Sequence, residues 1–401
     1  LQTSLSYPKS FLRNRYYLIE VLPLSFSLSA AQKDLKLRVQ EFATKELAPK
    51  ARDVDRKARF PRENVKEMAD HGLLGLPLPL EYAGSGMDMT SYCIALEELA
   101  KACSTTATIN LSHVLSAFSI CLFGTPEQKE FYLKSMAKGE NLGAFAITER
   151  TGGSDVASIQ TDARVKDDKY VITGEKSYIT SAGQADLYIV LASTDKSKGS
   201  KGLSAFIVDS DTEGLSIGKI EDLTGMRGIS IGQIILKDCS IPRDRLIAKE
   251  GDGLKIALSC IDRGRVAISA IGVGLAQAAL EASINYSKKR NQFGRSLSEF
   301  QAIQFMIADM ATEVEAARLL THYAGSLVAG GSRFTKEASM AKLYSSEVAV
   351  RAALNAIQIH GGYGLSREGP VERYMRDAKA LAIMEGTSEM QRMIIAKNEI
   401  G

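Results

Sequence analysis

In Ile383-Met384-Glu385-Gly386-Thr387 of this 401-residue sequence a carboxylate stands between apolar residues and a glycine, and a carboxylate so placed can act as a base. A carboxylate in an apolar pocket has a raised pKa and is a stronger base than one in water; Met384 suits such surroundings, and Gly386 lets the backbone approach a ligand closely. The plainer reading is a Glu near a helix start, where the positive end of the helix dipole favours a carboxylate. A second run, Ala146-Ile147-Thr148-Glu149-Arg150-Thr151-Gly152-Gly153-Ser154-Asp155, sets two glycines beside Thr and Ser. Such a loop exposes backbone N–H groups to an electron-rich ring edge or a phosphate, or else is an ordinary Gly-rich connection. A third cluster, Asp262-Arg263-Gly264-Arg265, precedes an apolar stretch, and its plainer reading is a helix-end salt bridge at Arg265.

The elements that must position these residues change period twice along the chain. Ser29 followed by Gln32 can form a capping box, and the body of the protein is expected to begin near Phe26. From 26 to 141 the pattern is helical, with Phe60-Pro61 opening one helix, Gly72 closing it as a left-handed cap, and Thr125-Pro126-Glu127-Gln128 repeating the start signal. Between 142 and 246 short runs such as Tyr170-Val171-Ile172, Leu187-Tyr188-Ile189-Val190, Ala205-Phe206-Ile207-Val208 and Gln233-Ile234-Ile235-Leu236 predict a small β-domain. No helical pattern alternates with them, so antiparallel pairing is expected rather than a βαβ sheet. From 247 to 401 the helical period returns, with Ile303, Met306, Met310, Val314, Ala317, Leu320, Ala324 and Leu327 on one stripe. Val266 to Leu275 is apolar nearly all round, which predicts a buried helix whose Gly and Ala content permits close approach. The expected fold is α+β and mostly α: an N-terminal α-helical domain, a middle β-domain and a C-terminal four-helix bundle.

Composition narrows the function classes. Fifty basic and 47 acidic side chains nearly cancel to +3, so no long-range field points to nucleic acid or an anionic membrane. The apolar runs are broken by Ser, Gly or charge, so no membrane span is expected. Five cysteines, at 93, 103, 121, 239 and 260, show neither a C-x-x-C pair nor zinc-like spacing with the four histidines, which fits reduced thiols and no metal. Residues 1–25 stand apart: Lys9, Arg13 and Arg15 lie among Ser and Thr with no acidic residue before Glu20, as in a transit-peptide remnant, an upstream extension or a cloning artefact.

The run from Ala146 to Asp155, together with Tyr374-Met375-Arg376-Asp377-Ala378-Lys379 and Ile383 to Arg392, resembles the two signatures of FAD-dependent acyl-CoA dehydrogenases, and the resemblance extends over Phe26 to Gly401. It implies that Glu385 removes the substrate's α-proton while the β-hydride goes to flavin N5, giving a trans-2-enoyl-CoA. It also implies a thioester carbonyl held by the Glu385 N–H and a flavin ribityl hydroxyl. Backbone donors such as those of the glycine loop favour the charge that a reduced flavin gathers at its N1/O2 edge. By the same resemblance, Phe145, Ile147, Thr148, Gly153 and Ser154 meet the cofactor, Tyr178 stacks on the flavin beside Ile179, and Thr180 offers a hydroxyl near N5. The family usually has Pro at the position of Arg150, and often Trp or Phe at that of Tyr178.

Asp262, Arg265, Ser154 and Gly386 correspond to the family's acyl-CoA contacts. In isovaleryl-type and long-chain-type members the base stands at the position of Gly264 and the late segment lacks it. Gly264 with Glu385 is therefore the short-chain and medium-chain arrangement, most like butyryl-CoA dehydrogenases. Arg290, Phe293, Gln301, Gln358, Gly361, Gly362, Thr387 and Glu389 match further FAD contacts, some made across a subunit boundary, which implies a homotetramer. An arginine fork suits the FAD pyrophosphate. Ala107 stands where glutaryl-type members carry an arginine, which disfavours a dicarboxylate substrate, and His113 faces the neighbourhood of the acyl tail or is a satisfied core histidine. The implied electron acceptor is electron-transferring flavoprotein, in a cytoplasm or a mitochondrial matrix. The alternatives are an acyl-CoA oxidase using O2 and a non-catalytic family member. A nicotinamide enzyme is disfavoured because Gly272-Val273-Gly274 lies in a helical pattern with no strand before it and no third Gly.

Overall fold

The computed structural model describes residues 27–401, so the expectations for residues 1–25 and for a start at Phe26 lie outside the described residues. Both capping signals close reciprocal boxes: Ser29 Oγ accepts from Gln32 N at 3.2 Å while Ser29 N donates to Gln32 Oε1 at 3.0 Å, and Thr125 and Gln128 make the same pair. They open α1 (Ala30–Phe42) and α5 (Pro126–Ala137). A π-helical turn, Ala43–Leu47, passes α1 into α2 (Ala48–Lys57). Gly72, at φ +68°, closes α3 (Arg62–Asp70) by donating to Ala69 O while Leu73 N donates to Met68 O, both at 2.8 Å.

α4 (Met89–Phe123) is two helical arms meeting at Cys103, whose φ −154° and ψ 97° are not helical. Both arms bear on α6 (Gly253–Lys289), the longest helix of the core. Cys93 Sγ of the first arm lies 3.7 Å from Val266 O, and Ser119 Oγ of the second lies 3.4 Å from Cys260 Sγ. A Cβ at Gly274 would stand 2.3 Å from Glu97 O, and one at Gly272 would stand 3.1 Å from Ser345 O on α8 (Thr335–His360), so the small residues of α6 do let its neighbours approach closely. α4 and α6 are long and apolar enough to cross a bilayer by length and composition, contrary to the expectation from broken apolar runs; both are mostly buried within the protein, as core helices are.

Eight strands form one sheet: β1 (Gly143–Ala146), β2 (Asp162–Lys166), β3 (Lys169–Ile179), β4 (Leu187–Ser193), β5 (Leu203–Asp209), β6 (Leu215–Ile220), β7 (Gly232–Pro242) and β8 (Leu246–Ile247). The order is β6-β7-β3-β2-β4-β5-β8, with β1 on β4. Most pairs are antiparallel, but β1 lies parallel to β4 over four residues and β2 meets β4 in a single parallel pair. The unbroken apolar runs of β4 and β5 follow from burial on both faces. Leu187, Ile189, Leu191, Ala205 and Ile207 join the helical core, while Tyr188, Val190, Ala192, Phe206 and Val208 fill a second core.

The helices α7 (Gln301–Ala329), α9 (Val371–Leu381) and α10 (Ser388–Ile400) complete the bundle with α6 and α8. Met310, Val314, Ala317 and Ala324 of the expected α7 stripe are buried. Buried polar contacts fix α9 to α4, to the loop between β6 and β7, and to α2. Asp377 accepts from Ser104 Oγ at 2.6 Å and from Met226 N at 2.5 Å, while both Arg376 Nη groups reach the Asp55 carboxylate at 2.7 Å.

Candidate active site

Glu385 stands in the turn between α9 and α10, where Ile383 N and Met384 N both donate to Ala380 O at 3.0 Å. The chain then reverses through two left-handed residues, Glu385 at φ +55° and Gly386 at φ +91°. For a residue with a Cβ that conformation costs about 1–2 kcal/mol, so the surroundings must hold it. Gln391 Nε2 donates to Gly386 O at 2.9 Å and lies 3.4 Å from Glu385 O, Arg265 Nε reaches Glu385 O at 3.5 Å, and Lys342 Nζ donates to Gly386 O at 2.6 Å. The start of α10 is capped by Thr387, whose hydroxyl accepts from Met390 N, and Glu389 occupies its first turn. Glu385 is therefore free of the helix-start role that its position in the sequence allowed.

The Glu385 carboxylate lies against α6, where a Cβ at Gly264 would stand 2.7 Å from Oε2 and 3.1 Å from Leu115 Cδ1. Burial raises its pKa to about 7, and the positive charges of Arg265 and Lys342 hold it back from rising further. Arg265 is buried and bonded to Asp262 at 2.6 Å, and the other oxygen of Asp262 accepts from Thr335 Oγ1 at 2.7 Å. A salt bridge at Arg265 thus exists, but it is made within α6 rather than at a helix end, the place expected from the sequence, and it aims the guanidinium at the turn carrying Glu385. His113 is buried, accepting from Gly143 N at 3.1 Å on Nδ1 and facing Met136 O at 3.1 Å with Nε2. Both ring nitrogens are used, so of its two readings the satisfied core histidine holds. Ala107 is also buried.

The glycine loop is tied beside the end of β3. Thr148 O accepts from Ser177 N at 2.8 Å. Glu149 and Gly152 exchange backbone hydrogen bonds at 3.0 and 3.1 Å, leaving Arg150 exposed at the first central position of a turn, where Pro is favoured and not required. Beneath the loop lies a pair that sequence reasoning missed. Fully buried Lys176 donates to Ile147 O at 3.0 Å and to Glu149 Oε1 at 2.8 Å, and the Glu149 carboxylate also accepts from Gln160 N, Thr161 N and Thr161 Oγ1. Gly153 and Ser154 are exposed, and Phe145 and Ile147 line a small apolar void against Ile256 and Ala257 of α6.

The β3–β7 register shifts between Lys176 and Ile179, and at this bulge Tyr178 takes φ +57° and leaves its ring 61% exposed. Ile179 is buried and Thr180 half-buried. The buried hydroxyls of Ser177 and Ser181 have no partner among the described residues. An exposed aromatic ring held out on left-handed backbone fits stacking against a planar group such as a flavin.

Arg290, Phe293, Gln301, Gln358, Gly361 and Gly362 are all exposed and pack on α6 to α9 rather than on the sheet. A hairpin, β9 (Asn291–Gln292) and β10 (Arg295–Ser296), turns through Phe293 at φ +51° and Gly294 at φ +79°, with Phe293 93% exposed. A Cβ at Gly361 or Gly362 would meet nothing within 4 Å, so that turn presents open backbone. Hydrogen bonds run from the end of β3 to α9, the helix that leads into the Glu385 turn: Ser181 N and Ala182 N donate to Ile229 O and Ser230 O, and the same β6–β7 loop carries Met226, whose N–H donates to Asp377 of α9. A polar cavity of about 430 Å³ between α1, α4, α6 and α7 shares no lining residue with the Glu385 cluster, and its Glu97, Glu98 and Glu281 are paired with Arg318, Lys36 and Lys101.

Three domain models cover nearly the whole described chain: acyl-CoA dehydrogenase N-terminal domain at 29–140, middle domain at 144–239 and C-terminal domain at 251–400. The chain belongs to the acyl-CoA dehydrogenase family. Members of this family are flavin-dependent oxidoreductases acting on CH–CH groups. The chain is 44% identical to the short-chain specific acyl-CoA dehydrogenase of Clostridium acetobutylicum, over 93% of this chain and 99% of that protein. Its fold superposes on butyryl-CoA dehydrogenase from Megasphaera elsdenii with TM-score 0.93 at 40% identity, covering 94% of this chain and all (100%) of that one. A chain from a structure of the electron transferring flavoprotein of Acidaminococcus fermentans matches equally, with TM-score 0.93, 42% identity and coverage of 94% and 100%. The acyl-CoA dehydrogenase architecture thus accounts for the order of helices, sheet and bundle.

Proposed function

We propose that this chain is an FAD-dependent dehydrogenase that converts a short-chain, branched or cyclic acyl-CoA into its trans-2-enoyl-CoA and passes the electrons to electron-transferring flavoprotein. The observation that carries this reading is the desolvated Glu385 carboxylate, raised to about 7 and seated against Gly264 at the end of a turn held through three side chains. A carboxylate of that pKa is a base matched to neutral pH. Glu385 removes the α-proton, and its own backbone N–H is positioned by the same left-handed turn to hold the thioester carbonyl. Bound FAD supplies the acceptor for the β-hydride. Thr148, Gly153, Ser154, Tyr178 and Thr180 hold its flavin half. Arg290, Phe293, Gln301, Gln358, Gly361 and Gly362 hold the adenine half of a neighbouring subunit's FAD, which accounts for the exposure of Phe293 and calls for a homotetramer. Thr387 and Glu389, at the start of α10, complete the cofactor's surroundings, and Asp262, Arg265 and Gly386 border the acyl-CoA.

The test is purified protein with a panel of acyl-CoAs, followed by flavin absorbance without air and by peroxide in air. Anaerobic bleaching with little peroxide supports the dehydrogenase; rapid peroxide makes it an oxidase; no bleaching with any thioester makes it a non-catalytic member. Glu385→Gln is expected to keep yellow FAD and lose turnover.

A further inference from the structure

Lys342 lies on α8 with 1% of its surface exposed, and its ammonium donates to the carbonyl of Gly386 at 2.6 Å. Gln391 already donates to that oxygen at 2.9 Å, so a neutral donor satisfies the carbonyl. Removing an ammonium from water to add a second donor is unfavourable unless the charge itself is used. The charges around it show the use. Glu385, Arg265, Glu389 and Glu347 face Lys342, while Arg265 and Lys342 are the cations that face Glu385. Arg265 is partly neutralised by Asp262 at 2.6 Å, whereas the hydrogen bond of Lys342 goes to a backbone oxygen. Cys260, the other titratable group beside Glu385, is pushed up to about 11 by burial and stays a neutral thiol. Burial likewise pushes Lys342 down to about 8, and the Glu385 carboxylate is the largest influence keeping it charged.

We propose that Lys342 is a positioning residue for Glu385: it fixes the left-handed Glu385–Gly386 turn through the Gly386 carbonyl, and its charge favours the ionised form of the neighbouring carboxylate. This rests on the reading of Glu385 as the base. Lys342→Met removes both donor and charge at nearly constant length; Lys342→Gln removes the charge and keeps a donor. The measurement is the pH dependence of anaerobic flavin bleaching by butyryl-CoA in stopped flow, with FAD content and melting temperature read alongside. Both variants are expected to hold FAD, to shift the acidic limb of the profile upward by about one pH unit, and so to bleach roughly tenfold slower below pH 7. The deficit should narrow above pH 8, more fully for Lys342→Gln than for Lys342→Met. An unmoved acidic limb overturns the proposal, as does failure of both variants to accumulate as FAD-bound protein, which makes Lys342 a folding residue. Failure of the wild-type protein to bleach with any acyl-CoA is a different outcome, and it overturns the dehydrogenase reading itself.

Discussion

Glu385 and Gly264 share one space: a Cβ on residue 264 would stand 2.7 Å from Glu385 Oε2 and 3.2 Å from its carboxyl carbon. The carboxylate lies where it does because position 264 has no side chain. Gly264→Ala is expected to push the carboxylate off its place or the α4 arm off α6, at about 1–3 kcal/mol as overpacking changes do. Flavin bleaching by butyryl-CoA should slow more than tenfold while FAD stays bound; an unchanged rate would show that the carboxylate position is not critical.

Glu385 should also make stability depend on pH. Its carboxyl pKa is raised from the ordinary 4.5 to about 7, so the folded protein keeps a proton that the unfolded chain has released. The stability this supplies is complete below about 4.5 and is lost as pH rises through 7. Glu385→Gln stays neutral throughout, and at pH 8 it should be more stable than the wild type by on the order of 1–3 kcal/mol, with the difference vanishing toward the acidic end. Denaturant titrations on the two sides of neutrality measure this, and equal stabilities at pH 8 would contradict the desolvated carboxylate.

Lys176→Met leaves Glu149 buried without its cation. The expected loss is about 3–5 kcal/mol, as for other broken buried pairs. Because the same carboxylate holds Gln160, Thr161 and the glycine loop, FAD should dissociate on gel filtration before the protein unfolds. Lys176→Met with Glu149→Gln should recover part of the stability. FAD retention equal to the wild type in the single variant would show that the loop does not depend on the pair.

Arg376 and Asp55 join α9 to α2 through two hydrogen bonds of 2.7 Å. Alanine at either position should cost roughly 3–5 kcal/mol, and the double variant little more than either single one, giving a coupling above ~1 kcal/mol in a double-mutant cycle. Additive losses would mean that the two residues act independently.

Local chemistry was legible in the sequence. The capping boxes at Ser29 and Thr125, the left-handed Gly72 and the stripe on α7 each depend on residues within a few turns of one another, and the structure has them all. Contacts across the chain were not. Lys342 and Gly386 are 44 positions apart and α8 carries no motif that announces the contact; Lys176 reads as a polar strand residue until Glu149 is seen beneath the loop. His113 finds its partners on α5 and β1, and no spacing of one histidine predicts that. The parallel β1–β4 pair escaped because β1 is four residues long and is separated from its partner by a hairpin. The bend at Cys103 left no Gly or Pro to mark it.

At Gly274 the backbone of α6 touches α4 with no side chain between them, and at Gly272 it closes on α8 in the same way. These contacts act as a ruler: the distance between the helices is set by main-chain atoms and cannot stretch to admit a larger guest. Beside Glu385, on the far arm of α4, the neighbour of Gly264 is instead the side chain of Leu115, so trimming or lengthening that side chain should change the room next to the carboxylate without moving the frame.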